Sequence, residues 1–201
     1  MSLRWTFIGT LLCVLTAGCD GDLSGSGPRG TSNLDIPETK RIERLNARQF
    51  FRALEVTTGQ SWSRADQYAA TLGQPDFDQV VQESNDISIS FVKLAGDAAR
   101  EVCRDAVNAD LELETQADRI ISRDVDSMDP MDPSVERNIR YLVLRFHGIY
   151  ITDDLDSRLD PWVSLIRSEL PEEPEERLNQ MPDRWKAVCV GLISHPDFMT
   201  Y

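Results

Sequence analysis

Residues 91–107, FVKLAGDAAREVCRDAV, constrain the fold more than any other stretch of the chain. Phe91, Leu94, Ala95, Ala98, Ala99, Val102, Cys103 and Ala106 recur at spacings of three and four, which puts them on one face of an α-helix. A stripe so rich in alanine lets a neighbouring helix come close. Such a helix is stable when another apolar face covers it, so the rest of the sequence has to supply helical partners.

It does so repeatedly. Around residues 46–54, Phe50, Phe51 and Leu54 share a face, and Gly59 is a natural stop. A short helix is expected from Ser63 to Leu72, capped by Ser63 and ended by Gly73 and Pro75. Asp132-Pro133 is a cap followed by a first-turn proline; the helix it starts carries Val135, Ile139, Leu142, Val143 and Phe146 inward and ends before Gly148. Asp160-Pro161 repeats the signal for Trp162 to Leu170. PEEPEE at 171–176 reads as a solvated acidic loop, and a last helix from Asp183 to Ser194 turns Trp185, Val188, Cys189 and Leu192 to one side. ISIS at 87–90 alternates like a strand but is too short and isolated to outweigh this pattern. The expected class is all-α, a compact multi-helix domain over residues 41–201.

The N-terminus has a different character. Arg4 is the only charge before Asp20, and Trp5 to Thr16 is almost wholly apolar. A positive start, a short apolar centre and the small residues Ala17 and Gly18 make a signal peptide over residues 1–18. The run is shorter than the roughly 20 residues of a spanning helix. LTAGC at 15–19 resembles the lipobox of bacterial lipoproteins, with Thr16 where that family usually has leucine and Leu15 one place further back. The resemblance implies that the Cys19 thiol carries a diacylglyceryl group, that cleavage falls just before it, and that the freed amine is acylated. The alternative is an ordinary signal peptide whose cysteine ends in a disulfide. Residues 19–40 follow as a lipidated tether: from Asp20 to Lys40 the chain is rich in Gly, Ser, Pro and Asp and cannot bury enough surface to fold. Asp20 resembles the signal that holds enterobacterial lipoproteins in the inner membrane, but that rule varies between bacteria. The expected location is a bacterial membrane, inner or outer, with the protein facing the periplasm or the exterior.

Cleavage would leave 201 − 18 = 183 residues and, with Arg4 removed, a net charge of −13 − 1 = −14. That length suits one domain or two small ones. The acidic balance speaks against nucleic-acid binding and against electrostatic attachment to anionic lipids. Attachment would rest on acyl chains, of which stable anchoring needs two or more.

Cys13 leaves with the signal and Cys19 is taken by lipid, so Cys103 and Cys189 remain as an even pair in an exported protein. Each lies on the apolar stripe of a strong helix. They could bond if those helices pack together, or stay as buried free thiols that behave as small hydrophobes.

RIERLNARQFFRALEVTTGQSW with FVKLAGDAAREVC, and RNIRYLVLRFHGIYITDDLD with WKAVCVGLISHPDFMTY, resemble segments of the helical domains of unknown function in planctomycete- and myxobacterial-type cytochrome C proteins. Some of those relatives attach haem through Cys-x-x-Cys-His. Neither Cys103 nor Cys189 stands in such a motif, so no haem and no other cofactor is expected.

Other chemical motifs fail on spacing. DVDSMDPMD gathers Asp124, Asp126, Asp129 and Asp132, but a calcium loop counted from Asp124 needs glycine and glutamate where Asp129 and Val135 stand. ITDDLDSRLD fails the same test and reads as Thr152 capping a short helix with Asp153 and Asp154 in its first turn. His147, at a helix end, is expected to bond a terminal carbonyl, and His195-Pro196 to be a helix exit; two histidines alone make no metal site. Ser194, His195 and Asp197 are too close in sequence for triad geometry. The leading expectation is a non-catalytic envelope module that docks on another exported protein. The alternative is an accessory subunit of an exported electron-transfer or degradative complex, with His147 reaching a cofactor held by a partner. An enzyme built on acidic pairs such as Glu172 and Glu175 ranks third, because their setting is solvated.

Overall fold

The computed structural model describes residues 44–69, 89–127, 129–153 and 156–200, all within one compact unit, Lys40–Tyr201. The signal peptide, Cys19 and the tether lie outside the described residues, as do Leu72 to Pro75, Ile87 and Ser88 of the ISIS stretch, and Asp154.

The described residues form an all-α fold. Helix α1 spans Ala47–Thr58, α2 Ala65–Ala69, α3 Ile89–Glu112, α4 Pro133–His147, α5 Asp160–Arg167, α6 Pro174–Ser194 and α7 Pro196–Met199. One isolated β-bridge, Arg44 to Thr200, ties the start of the described domain to its end, beside a Leu45 N–H bond to the Met199 carbonyl of 2.8 Å. No helix among the described residues is long and apolar enough to cross a membrane.

Local chemistry accounts for the helix ends. Asn46 opens α1 with a capping box: its side chain accepts from the Gln49 N–H, and the Gln49 side chain accepts from the Asn46 N–H, both at 2.9 Å. Gly59 closes α1 at φ 70, a left-handed backbone conformation that favours glycine. Asp132 caps α4 by accepting from the Ser134 N–H at 2.8 Å. Two arginines finish other helices from a distance. Arg145 of α4 donates to the Thr57 and Val56 carbonyls of α1, and Arg184 of α6 to the Ile166 carbonyl of α5 and the Ser168 carbonyl just beyond it. Each brings a cation and donors to the negative end of a neighbouring helix.

The core forms where α3 lies along α6, the most extensive helix pair among the described residues. The small-residue stripe of α3 (Ala95, Ala98, Ala99, Cys103) is fully buried, as are Met181, Trp185, Val188, Cys189 and Leu192 of α6. The Cα atoms of Cys103 and Cys189 are 5.8 Å apart, with their sulfur atoms at disulfide distance. Phe50 anchors α1, meeting Phe91 and Phe198 edge-on with ring centres 5.5 and 5.9 Å away.

Several expected boundaries change. Helix α6 begins at Pro174 rather than Asp183, so the second half of PEEPEE is its first turn, where Glu175 and Glu176 complement the positive helix end. Pro182 lies inside this helix and withdraws one N–H from the ladder. Helix α5 ends at Arg167, short of Leu170, and begins at Asp160 itself, with no side-chain cap. Thr152 and Asp153 are not helical. The described part of the short second helix runs only over α2, and Ser63 donates its N–H to Glu101 of α3 at 3.1 Å. Ile89 and Ser90 open α3 and belong to no strand.

Candidate functional site

The chain contains two histidines, and the fold brings them together. His147 is the last residue of α4; Gly148 follows at φ 68 and returns its N–H to the Leu144 carbonyl at 3.0 Å, which turns the chain sharply away. His195 is the joint between α6 and α7, and Pro196 sets the direction of the short helix after it. The two imidazoles stack with centres 4.9 Å apart and planes 30° from parallel. Trp162 of α5 stands across both, 6.1 Å from the ring of His147 and 6.0 Å from that of His195. A Cβ on Gly191 would approach the Trp162 ring to 2.9 Å, so this glycine lets the indole close on α6.

Hydrogen bonds orient both rings. His147 Nε2 lies 2.9 Å from the Leu192 carbonyl, which can only accept, so Nε2 carries the proton and Nδ1 keeps its lone pair. The expected carbonyl contact is therefore made, but across to the end of α6 instead of within α4. His195 Nδ1 faces Asp197: it accepts the Asp197 N–H at 3.3 Å and lies 3.5 Å from Oδ2 of that carboxylate.

These groups border a cleft of about 240 Å³ with Val143 and Ile149 among its apolar lining and Arg158 at its edge. That volume admits a hydrated ion or a small fragment and is below the usual range for drug-sized ligands. Arg158 is engaged by Asp156 through contacts of 2.9 and 2.5 Å, which hold the Asp156 carboxyl down to about 2. Burial pushes His147 below the ordinary imidazole value; the Leu192 bond opposes this, His195 reinforces it, and Asp197 opposes it. A neutral imidazole at neutral pH is the result.

One potential ligand atom each from His147, His195 and Asp197 lies within 4.8 Å of the others. No family model, curated protein or solved structure matches the chain.

The other residues singled out in the sequence lie elsewhere and act locally. Asp126 pairs with Arg137, Asp124 with Arg123, Asp129 accepts from the Met131 N–H, and Asp132 caps α4, so these four acidic residues are each engaged locally. Glu172 and Glu175 are exposed. Cys103 and Cys189 are fully buried in the core. Sequence reasoning missed the pairing of the histidines because 48 positions (195 − 147) separate them. It also missed Asp110, whose buried carboxylate accepts the backbone N–H groups of Ile120, Ile121 and Ser122 at 2.7–2.8 Å. An acidic residue on the inner face of α3 was the available signal.

Proposed function

We propose that this protein is a lipid-anchored component of a bacterial envelope, attached through Cys19, whose helical domain is a non-catalytic docking module for another exported protein. The observation that carries the reading is the approach of Cys103 and Cys189 to disulfide distance in the core. Such pairs suit oxidising compartments, which is where the signal segment and the LTAGC stretch would send the chain. The acyl chains supply the attachment that an acidic domain cannot gain from anionic lipid. The 19–40 stretch sets the reach of the domain from the membrane.

The test is Cys19→Ser in a bacterial host, followed by radiolabelled-lipid incorporation and membrane fractionation. The parent should take up label and partition into detergent, and the variant should do neither. Equal membrane association of the two would sink the anchor. In vivo cross-linking from the domain surface then examines docking: a stoichiometric exported partner is expected, and none would count against the module.

A second reading, an accessory subunit of an exported electron-transfer complex, is favoured by the exposure of the His147–His195 pair to a cleft. A Soret band appearing when the partner is added would support it.

A further inference from the structure

We infer that His147, His195 and Asp197 form a binding site for a late first-row divalent cation, with zinc as the reference occupant. The inference goes beyond the docking reading and does not depend on the lipid anchor.

Three features argue for a cation. The first is the state of His147. Its Nε2–H is committed to the Leu192 carbonyl, which leaves the Nδ1 lone pair as its ligand atom. A metal-bound imidazole typically donates its other N–H to a carbonyl or carboxylate, and that bond is already in place here. The second is the spacing of His195 and Asp197. Nδ1 lies 3.5 Å from Oδ2 and holds only a long, 3.3 Å bond from the Asp197 N–H, which a bound cation would displace. Ligands held at about 2.0–2.1 Å around a tetrahedral ion stand roughly 3.3–3.4 Å apart, which is close to the spacing seen. The third is the local charge: Asp197 supplies a negative group, while Arg158 is neutralised by Asp156.

The donor set narrows the class of ion. Two imidazoles and one carboxylate suit zinc, copper and nickel, whereas magnesium and calcium prefer oxygen alone. The widest separation among the ligand atoms, 4.8 Å, must shrink by about 1.5 Å to reach the tetrahedral spacing. Rotation of His195 and Asp197 can supply this, because both side chains are more than two-fifths exposed. His147, fixed by its carbonyl, is the immobile corner. Three protein ligands leave a fourth position toward the cleft, for water or for a group brought by another molecule.

The experiment uses the full chain purified in detergent without a histidine tag, stripped with chelator and titrated with zinc chloride at pH 7.5 by calorimetry. One equivalent should bind, and His195→Gln and Asp197→Asn should each weaken binding at least tenfold. Both positions are on the exposed rim, so these variants should fold, as circular dichroism will show. The unaltered protein gives an independent readout in imidazole nitrogen NMR spectra: zinc should shift Nδ1 of His147 while its Nε2–H persists. Absence of binding overturns the inference. So does zinc that binds without moving either imidazole, or with parental affinity in both variants, because it would then sit on surface carboxylates.

Discussion

At His147 the chain keeps an imidazole half out of water and commits its one proton to the Leu192 carbonyl. The groups that face this ring are His195 and Asp197 from the α6–α7 joint and, across the cleft, Arg158. Burial makes the charged form costly, so the folded ring takes up a proton at lower pH than the unfolded one, whose ordinary value is 6.5. Between those two values the unfolded chain binds more protons, and stability falls as pH falls. The contribution is complete above pH 6.5 and lost as pH drops through the folded value. Asp156 acts in a separate window: its contribution holds above its ordinary value of 3.8 and fades as pH falls toward about 2. In metal-free protein, the thermal midpoint should therefore decline as pH falls below 6.5, and His147→Gln should flatten that decline. An unchanged slope in the variant would assign the pH dependence to other groups. The sequence shows His147 at a helix end because Gly148 marks the stop. It cannot show His195 beside it, since only the packing of α4 against α6 sets that distance.

Among the elements, the described residues between α3 and α4 have little regular structure beyond a 3₁₀ turn, Gln116–Asp118. Two buried polar side chains fasten them. Asp110 takes three consecutive N–H groups, and Asn138 donates to the Ile121 carbonyl at 2.7 Å while accepting from the Asp124 N–H at 2.9 Å. These bonds hold Ile121, fully buried, in the core. Asp110→Ala removes the acceptor and strands donors away from water, at a cost of about 1–3 kcal/mol for a buried group, more where the lost partner was charged. The expected result is a destabilisation of about 2–4 kcal/mol by urea unfolding. A loss under about 0.5 kcal/mol, the level of an ordinary surface change, would mean that the segment is held by its apolar side chains alone. Helix faces were legible in the sequence where apolar spacing was dense, as in α3 and α4. Boundaries failed where local signals misled. The last helix was expected from Asp183 but begins at Pro174, because Pro182 inside it withdraws one N–H without ending it. Asp160-Pro161 marked the start of α5 correctly, but Asp160 is its first residue and no side chain caps it. Asp110 and Asn138 were invisible because their partners lie 10–17 positions away in irregular backbone.

For the whole molecule, the decisive relation is between α3 and α6, which come from opposite halves of the domain. The alanine stripe of α3 allows the close approach, and Cys103 and Cys189 occupy the place where the two helices meet with a Cα separation of 5.8 Å. A bond there would close a loop spanning a sequence separation of 86. Chain-entropy arguments give such a closure roughly 4–5 kcal/mol, acting mainly by restricting the unfolded chain. For a domain of this size each kcal/mol moves the thermal midpoint by about 2–4 °C, so loss of the bond should lower it by roughly 8–20 °C. Cys103→Ala with Cys189→Ala removes the bond but also opens small cavities, which confuses the reading. Reduction separates the two effects: a reductant should lower the midpoint of the parent and leave that of the double variant unchanged. Peptide mass spectrometry of non-reduced protein taken from the periplasm should find Cys103 and Cys189 in one linked species. Free, alkylatable thiols at both positions would overturn the bond and, with it, the strongest support for export. The packing of α3 on α6 would survive that result, because two buried thiols fill the same space as small hydrophobes.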